Sequence, residues 1–106
     1  MKVQITARKC EVADEIRERA KVLADRWPRF DRTAQGIRLV FEVQGAHHSV
    51  EAVIARARRD PVVATGEGRD FRIALDELDG RVSRILRRDN QRRKDHKPRH
   101  PLPQPE

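Results

Sequence analysis

The sequence predicts an α+β two-layer sandwich: a four-stranded mixed sheet with two helices packed on one face, in the order β-α-β-β-β-α. Three observations carry that expectation. Apolar and polar residues alternate in the first segment and again in the middle of the chain, which is the period of half-buried strands. Two longer segments instead carry apolar residues at helical spacing, each as a single stripe that needs a partner. The opening strand-helix-strand step favours a right-handed crossover between parallel strands, and the closely spaced strands that follow suit a meander. A single sheet covered on one side by both helices buries both stripes.

Each element can be justified in turn. Residues Lys2 to Arg8 put Val3, Ile5 and Ala7 on one side and Lys2, Gln4, Thr6 and Arg8 on the other, predicting strand one. From Val12 the period becomes helical, with Val12, Ile16, Ala20, Leu23 and Trp27 inside an arc of about 80°. Glu11, Asp14 and Glu15 crowd the first turn, where carboxylates suit the helix dipole. Glu15 and Arg19 have the spacing of an i,i+4 pair on the solvent side, and Pro28 stops the helix. After a polar connection from Phe30 to Gly36, Ile37, Leu39, Phe41 and Val43 alternate with Arg38, Val40, Glu42 and Gln44 as strand two. Gly45 to Ser49 reads as a turn containing His47 and His48. Val50 to Arg58 reads as strand three, with Val50, Ala52 and Ile54 inward. Asp60-Pro61 reads as a second turn, and Val62 to Thr65 as a short edge strand closed by Gly66 and Gly68. The last helix starts near Arg69 or Asp70, carries Phe71, Ala74, Leu75, Leu78, Val82, Ile85 and Leu86 at helical spacing, and runs to about Asn90 or beyond. Residues 1–95 are thus expected to form one domain. Residues 96–106, which hold Pro98, Pro101, Pro103 and Pro105, are expected to form an extended or disordered basic tail.

Composition narrows the function. A chain of 106 residues builds one core that buries about 60 to 65 % of the unfolded surface, too little for a large multi-cofactor enzyme. The single cysteine excludes an internal disulfide, and no N-terminal apolar run resembles a secretion signal, so a cytoplasmic setting is expected. Apolar runs are far shorter than the roughly 18 residues that cross a bilayer. The net charge of +7 sits in one place: from Gly80 to Arg99, nine basic residues oppose only Asp89 and Asp95, while the remainder is balanced at fifteen of each sign. A neutral domain with a polycationic helix has the electrostatic footprint of a polyanion binder.

On the last helix, Arg81, Arg84, Arg87 and Arg88 fall within an arc of about 120°, displaced from the apolar stripe, and Arg92, Arg93 and Lys94 extend the run. Solvated helix faces usually carry both signs in i,i+4 pairs, and here the acids are too few. Arginine forks bind phosphate oxygens bidentately or stack on bases, so RNA is the natural target, with DNA left open. Phe41, Phe71 and Trp27 all fall at core positions, which leaves no aromatic platform for single-strand stacking; backbone and shape recognition are expected instead. Other signals are weak. His96 and His100 have the spacing of half a zinc site without a second half, Gly66-Glu67-Gly68 lacks the rest of a phosphate loop, and His47 and His48 have no nucleophile at a recognised spacing. No cofactor, metal, small-molecule substrate or membrane partner is expected.

Several stretches together resemble the ribosome hibernation promoting factor family, which includes the ribosome-associated translation inhibitor. They are Val3-Gln4-Ile5-Thr6, Glu11-Val12 to Arg17-Glu18, Phe30-Asp31-Arg32, the His-Ser-Val-Glu stretch of strand three, and above all Glu67-Gly68-Arg69-Asp70-Phe71 followed by Ala74-Leu75-Asp76 and the basic run. The resemblance spans about residues 2 to 94. It implies a non-enzymatic, β-α-β-β-β-α protein, monomeric off the ribosome. Its partners would be the small ribosomal subunit and its ribosomal RNA, in the channel used by messenger RNA and transfer RNAs, where it silences or preserves idle ribosomes in stress or stationary phase. By the same resemblance Arg81, Arg84, Arg88 and Arg92 match basic family positions, and Arg87, Arg93 and Lys94 enlarge the rRNA-binding patch. At this length the resemblance implies a short form without the dimerisation domain of longer members. Arg72 and Asn90 depart from the family's Tyr and basic residue, and Ala13 replaces the Thr that caps helix one. A general RNA-binding or ribosome-assembly module remains the alternative reading of the same charge pattern.

Overall fold

The computed structural model describes residues 2–95, with side chains to residue 91; the Pro-rich tail expected at residues 96–106 lies outside the described residues. Strand β1 (Lys2–Arg8) leads into helix α1 (Asp14–Arg26), which ends in a single 3-10 turn at Trp27–Arg29. Strands β2 (Ala34–Gln44), β3 (His47–Arg56) and β4 (Arg59–Gly68) follow, and helix α2 (Phe71–Asp95) closes the described chain. The sheet order is β1-β2-β3-β4, with β1 parallel to β2 and the other pairs antiparallel. The expected α+β sandwich is therefore the observed one.

One face of the sheet makes the core. Ile37, Leu39 and Phe41 of β2, Val50, Ala52 and Ile54 of β3, and Val62 and Ala64 of β4 are buried against Leu23, Trp27, Phe71, Leu75, Leu78, Val82 and Leu86 of the helical layer. Phe41 and Phe71 meet edge to face with centroids 5.1 Å apart, a geometry aromatic quadrupoles favour. All three large aromatics expected in the core are there. Cys10 packs at its margin, donating its thiol to the Phe41 carbonyl at 3.6 Å. Among the described residues no helix is long and apolar enough to cross a membrane.

Several boundaries differ from the sequence reading, each for a local reason. Helix α1 starts at Asp14, with Ala13 as an N-cap whose side chain makes no capping bond. Pro28 stands in the 3-10 turn, where its missing N–H costs nothing. The turn expected over Gly45 to Ser49 is only Gly45-Ala46, because Gly45 takes a φ of 61° and lets Gln44 pair directly with His47. His47 and His48 are therefore strand residues. The β3–β4 turn is Ala57-Arg58, with Arg58 at a φ of 59°, and β4 has ten residues where the sequence predicts four. Asp60-Pro61 lies inside that strand, beside a register irregularity and on the edge of the sheet, where proline is tolerated.

Helix α2 lies close over β3 and β4 because β4 ends in glycines. A Cβ at Gly66 would collide with the Ala74 carbonyl oxygen and come within 2.6 Å of the Leu78 nitrogen. Two α2 side chains also satisfy backbone groups of β4: Arg81 donates to the Thr65 carbonyl at 2.6 Å, and Glu77 accepts the Glu67 N–H at 2.8 Å. Edge strands are templates for unwanted pairing, and these bonds blunt this one. Gly80, by contrast, borders open space: a Cβ there would have nothing within 4 Å. Gly66→Ala is expected to cost more than about 2 kcal/mol in urea unfolding by overpacking, and Gly80→Ala to add roughly 0.5 to 1 kcal/mol through helix propensity. Equal effects at the two positions would contradict the close packing of α2 on β4.

Candidate nucleic-acid interface

The basic helix is oriented by its acids. Asp70 caps it, accepting the Ile73 N–H at 2.9 Å. Asp76 accepts a 2.6 Å bond from Arg19 of α1, so Arg19 reaches across to the neighbouring helix rather than pairing with Glu15 as its spacing suggests. Asp79 accepts the indole N–H of fully buried Trp27 at 2.8 Å and is 3.3 Å from the Arg26 guanidinium, which ties α1 and its terminal turn to α2. Glu77 serves the β4 edge, as above.

Asp89 anchors the distal half. Arg56, with a side chain only 7 % exposed, donates through Nη1 to Asp89 at 3.1 Å and to Asp31 at 3.2 Å, and through Nε to the Asp60 carbonyl at 2.8 Å. Arg59 adds a 3.1 Å bond to the same Asp31 oxygen. The other Asp31 oxygen accepts the Thr33 N–H at 2.9 Å and its hydroxyl at 2.6 Å. Burial opposes the charge on Asp31, yet the two Thr33 bonds and the guanidinium groups of Arg56 and Arg59 outweigh it and hold the carboxyl below the ordinary aspartate value. The network joins the α1–β2 connection, the β3–β4 hairpin and α2.

Every described acidic side chain of α2 is thus engaged within the chain, and the outward face keeps its arginines. The four arginines expected to share an arc do not act alike. Arg81, at one end of the arc, is turned to Thr65 and also lies 3.6 Å from Glu77. Arg87, at the other end, stacks over the Phe30 ring at 4.5 Å, a cation–π contact. Arg84 and Arg88 stand between them, both exposed. Arg88 has only its sequence neighbour Asp89 at 3.9 Å, and Arg84 has no ion pair among the described residues. Arg92, Arg93 and Lys94 continue the helix, and their side chains lie outside the described ones. A groove of about 660 Å³ at the start of the two helices is lined by residues of both signs, including Glu11, Glu15, Arg19, His48, Asp70 and Arg72, and lacks this one-sided charge. Among the described residues no cluster of three His, Cys, Asp or Glu side chains could hold a metal ion.

A basic helix held in this way on a β-α-β-β-β-α sandwich has known counterparts. Residues 3–94 match the sequence profile of the family described as Sigma 54 modulation protein / S30EA ribosomal protein. The chain belongs to this family. Two solved structures share its fold: a ribosomal subunit interface protein from Coxiella burnetii, with 18% identity, a TM-score of 0.79, and coverage of 86% of this chain and 99% of that one; and the N-terminal domain of Protein Y from Thermus thermophilus, with 20% identity, a TM-score of 0.74, and coverage of 84% and 99%. At these identities the likeness establishes the fold. No curated protein sequence matches the chain.

Charge distribution along the sequence points to the basic helix of this family member, but not to what holds the helix in place. Asp31, Arg56, Arg59 and Asp89 come from distant segments without periodic spacing; the available hint is Thr33 two residues after Asp31, the pattern of a side chain that bonds its own turn. Because the folded-state pKa of Asp31 is depressed, its stabilisation is complete above about pH 3.9, the unfolded value, and is lost as pH falls through the lower folded value. Asp31→Asn is expected to cost about 3 kcal/mol at pH 7, since it removes a charge that compensates two guanidinium groups. The stability gap between it and the parent chain should narrow as pH drops below about 4. A gap that stays constant with pH, read from chemical unfolding, would contradict this account of the network.

Proposed function

We propose that this chain is a non-enzymatic ribosome-binding factor. It occupies the messenger and transfer RNA channel of the small ribosomal subunit and silences or preserves idle ribosomes in the cytoplasm during stress or stationary phase. The observation that carries this reading is the division of charge on α2: Asp76, Glu77, Asp79 and Asp89 are all spent on internal bonds, leaving Arg84 and Arg88 outward and Arg87 beside them. Membership of a family that includes the S30EA ribosomal protein supports the same partner.

Action is steric and electrostatic. Outward arginines on a rigid helix present forked donors to RNA phosphates, and binding releases the counterions condensed there. Since neighbouring guanidinium groups repel one another in the free protein, a polyanion relieves a strain that water and salt only screen. The protein needs no pocket for this, and the stacking contact of Arg87 on Phe30 limits the freedom of that side chain before RNA arrives.

The double reversal Arg84→Glu/Arg88→Glu is expected to weaken co-sedimentation with small subunits by on the order of 100-fold while leaving the thermal melt unchanged, because neither residue contributes to the core. Unchanged sedimentation would remove α2 as the contact surface. Equal affinity of the parent chain for small subunits and for bulk duplex RNA would favour the general RNA-binding module instead.

A further inference from the structure

The basic surface does not stop at α2. Arg87 rests on Phe30, which brings α2 against the α1–β2 connection, and that connection carries Arg29 and Arg32 on either side of Phe30 and Asp31. The Thr33 carbonyl in turn accepts the Ala57 N–H at 2.7 Å, which brings the β3–β4 turn, with Arg58 at its tip, against the same connection. Arg29, Arg32 and Arg58 are all exposed, and none forms an ion pair among the described residues. Two acids of the adjoining segments are otherwise engaged: Asp31 is 2 % exposed and held by Arg56 and Arg59, and Asp89 is held by Arg56, whereas Asp25, exposed near the end of α1, has no ion pair among the described residues. Asp60, exposed in β4, is the one nearby carboxylate of the hairpin without such a partner among the described residues. Counting charges along the chain does not reveal these three arginines, because the sequence outside the basic run is balanced overall.

Resting on the RNA-binding reading above, we propose that RNA phosphates are gripped by a band running across α2, from Arg84, Arg87 and Arg88 through Arg29 and Arg32 to Arg58. A strip confined to one helix would hold a backbone along the helix axis. A band drawn from three chain segments holds it across the axis and fixes the orientation of the protein on the RNA as well as its affinity. The buried network of Asp31, Arg56, Arg59 and Asp89 gives the band its shape, since it bonds the same three segments to one another. Arg58 is set for this part by its turn: in the left-handed region its backbone is committed to the two-residue loop, and its side chain is exposed.

The test is a salt titration of binding to purified small ribosomal subunits, comparing the full chain with Arg29→Gln/Arg32→Gln and with Arg58→Asn, a residue that tolerates the left-handed turn. Every phosphate left without its arginine should flatten the log-log slope by about 0.7 to 0.9 and weaken binding, with circular dichroism and melting unchanged. Slopes and affinities equal to those of the parent chain, in a series where Arg84→Gln/Arg88→Gln does flatten the slope, would overturn the band and leave the function standing. Failure of the parent chain to bind small subunits at any salt concentration would overturn both.

Discussion

Asp31 is 2 % exposed in a chain that carries 24 basic residues, and two of them, Arg56 and Arg59, converge on it while Arg56 also reaches Asp89. Buried ion pairs are weak evidence for stability, because desolvation can cancel the Coulomb gain. Their effect here is better described as registration. Packing sets the distance of α2 from the sheet, and a carboxylate held at hydrogen-bond distance by guanidinium groups adds a directional constraint on its position. The glycines at the end of β4 set how near the helix lies, and Asp76 and Asp79 set its contact with α1. Together they leave a single face of α2 to solvent.

That face is basic because of where the acids go. A solvated helix face ordinarily carries both signs and neutralises itself through i,i+4 pairs. In α2 the acids cluster in the first half and point to α1 and β4, and the one described acid in the second half points into the buried network. Folding thus engages the few described acids of α2 with neighbouring elements and leaves Arg84 and Arg88 to solvent. The opposite face of the sheet is different in character, with Arg38, Glu42 and Glu51 interspersed among half-buried Val40 and Val53. Its mixed signs give it no comparable claim on a polyanion.

Element order, the inward sets of β2 and β3, and the buried aromatics are legible in the sequence, because burial on one face imposes a period that survives any loop error. Turns are less so. Asp60-Pro61 carries the composition of a turn, yet the chain turns at Ala57-Arg58, where an arginine accepts a left-handed φ that composition assigns to Gly or Asn. The edge position of β4 removes the penalty for proline and so removes the clue. In the candidate site, the sequence locates the basic run but places Arg81 and Arg87 on a shared face with Arg84 and Arg88. The fold uses the outer two as struts, one on the β4 edge and one on Phe30, since a long side chain at the margin of a buried stripe reaches the nearest acceptor or ring.

In the proposed docking, the solvent-facing arginines of α2, fixed by the Asp31 network, meet ribosomal RNA in the channel of the small subunit. A cryo-electron microscopy reconstruction of the chain bound to small subunits tests this most directly. The expected result is density for the domain in the messenger and transfer RNA path, with α2 against RNA phosphates and the open face of the sheet turned away. Density at another location on the subunit, or a pose with the open sheet face against RNA and α2 in solvent, would contradict it.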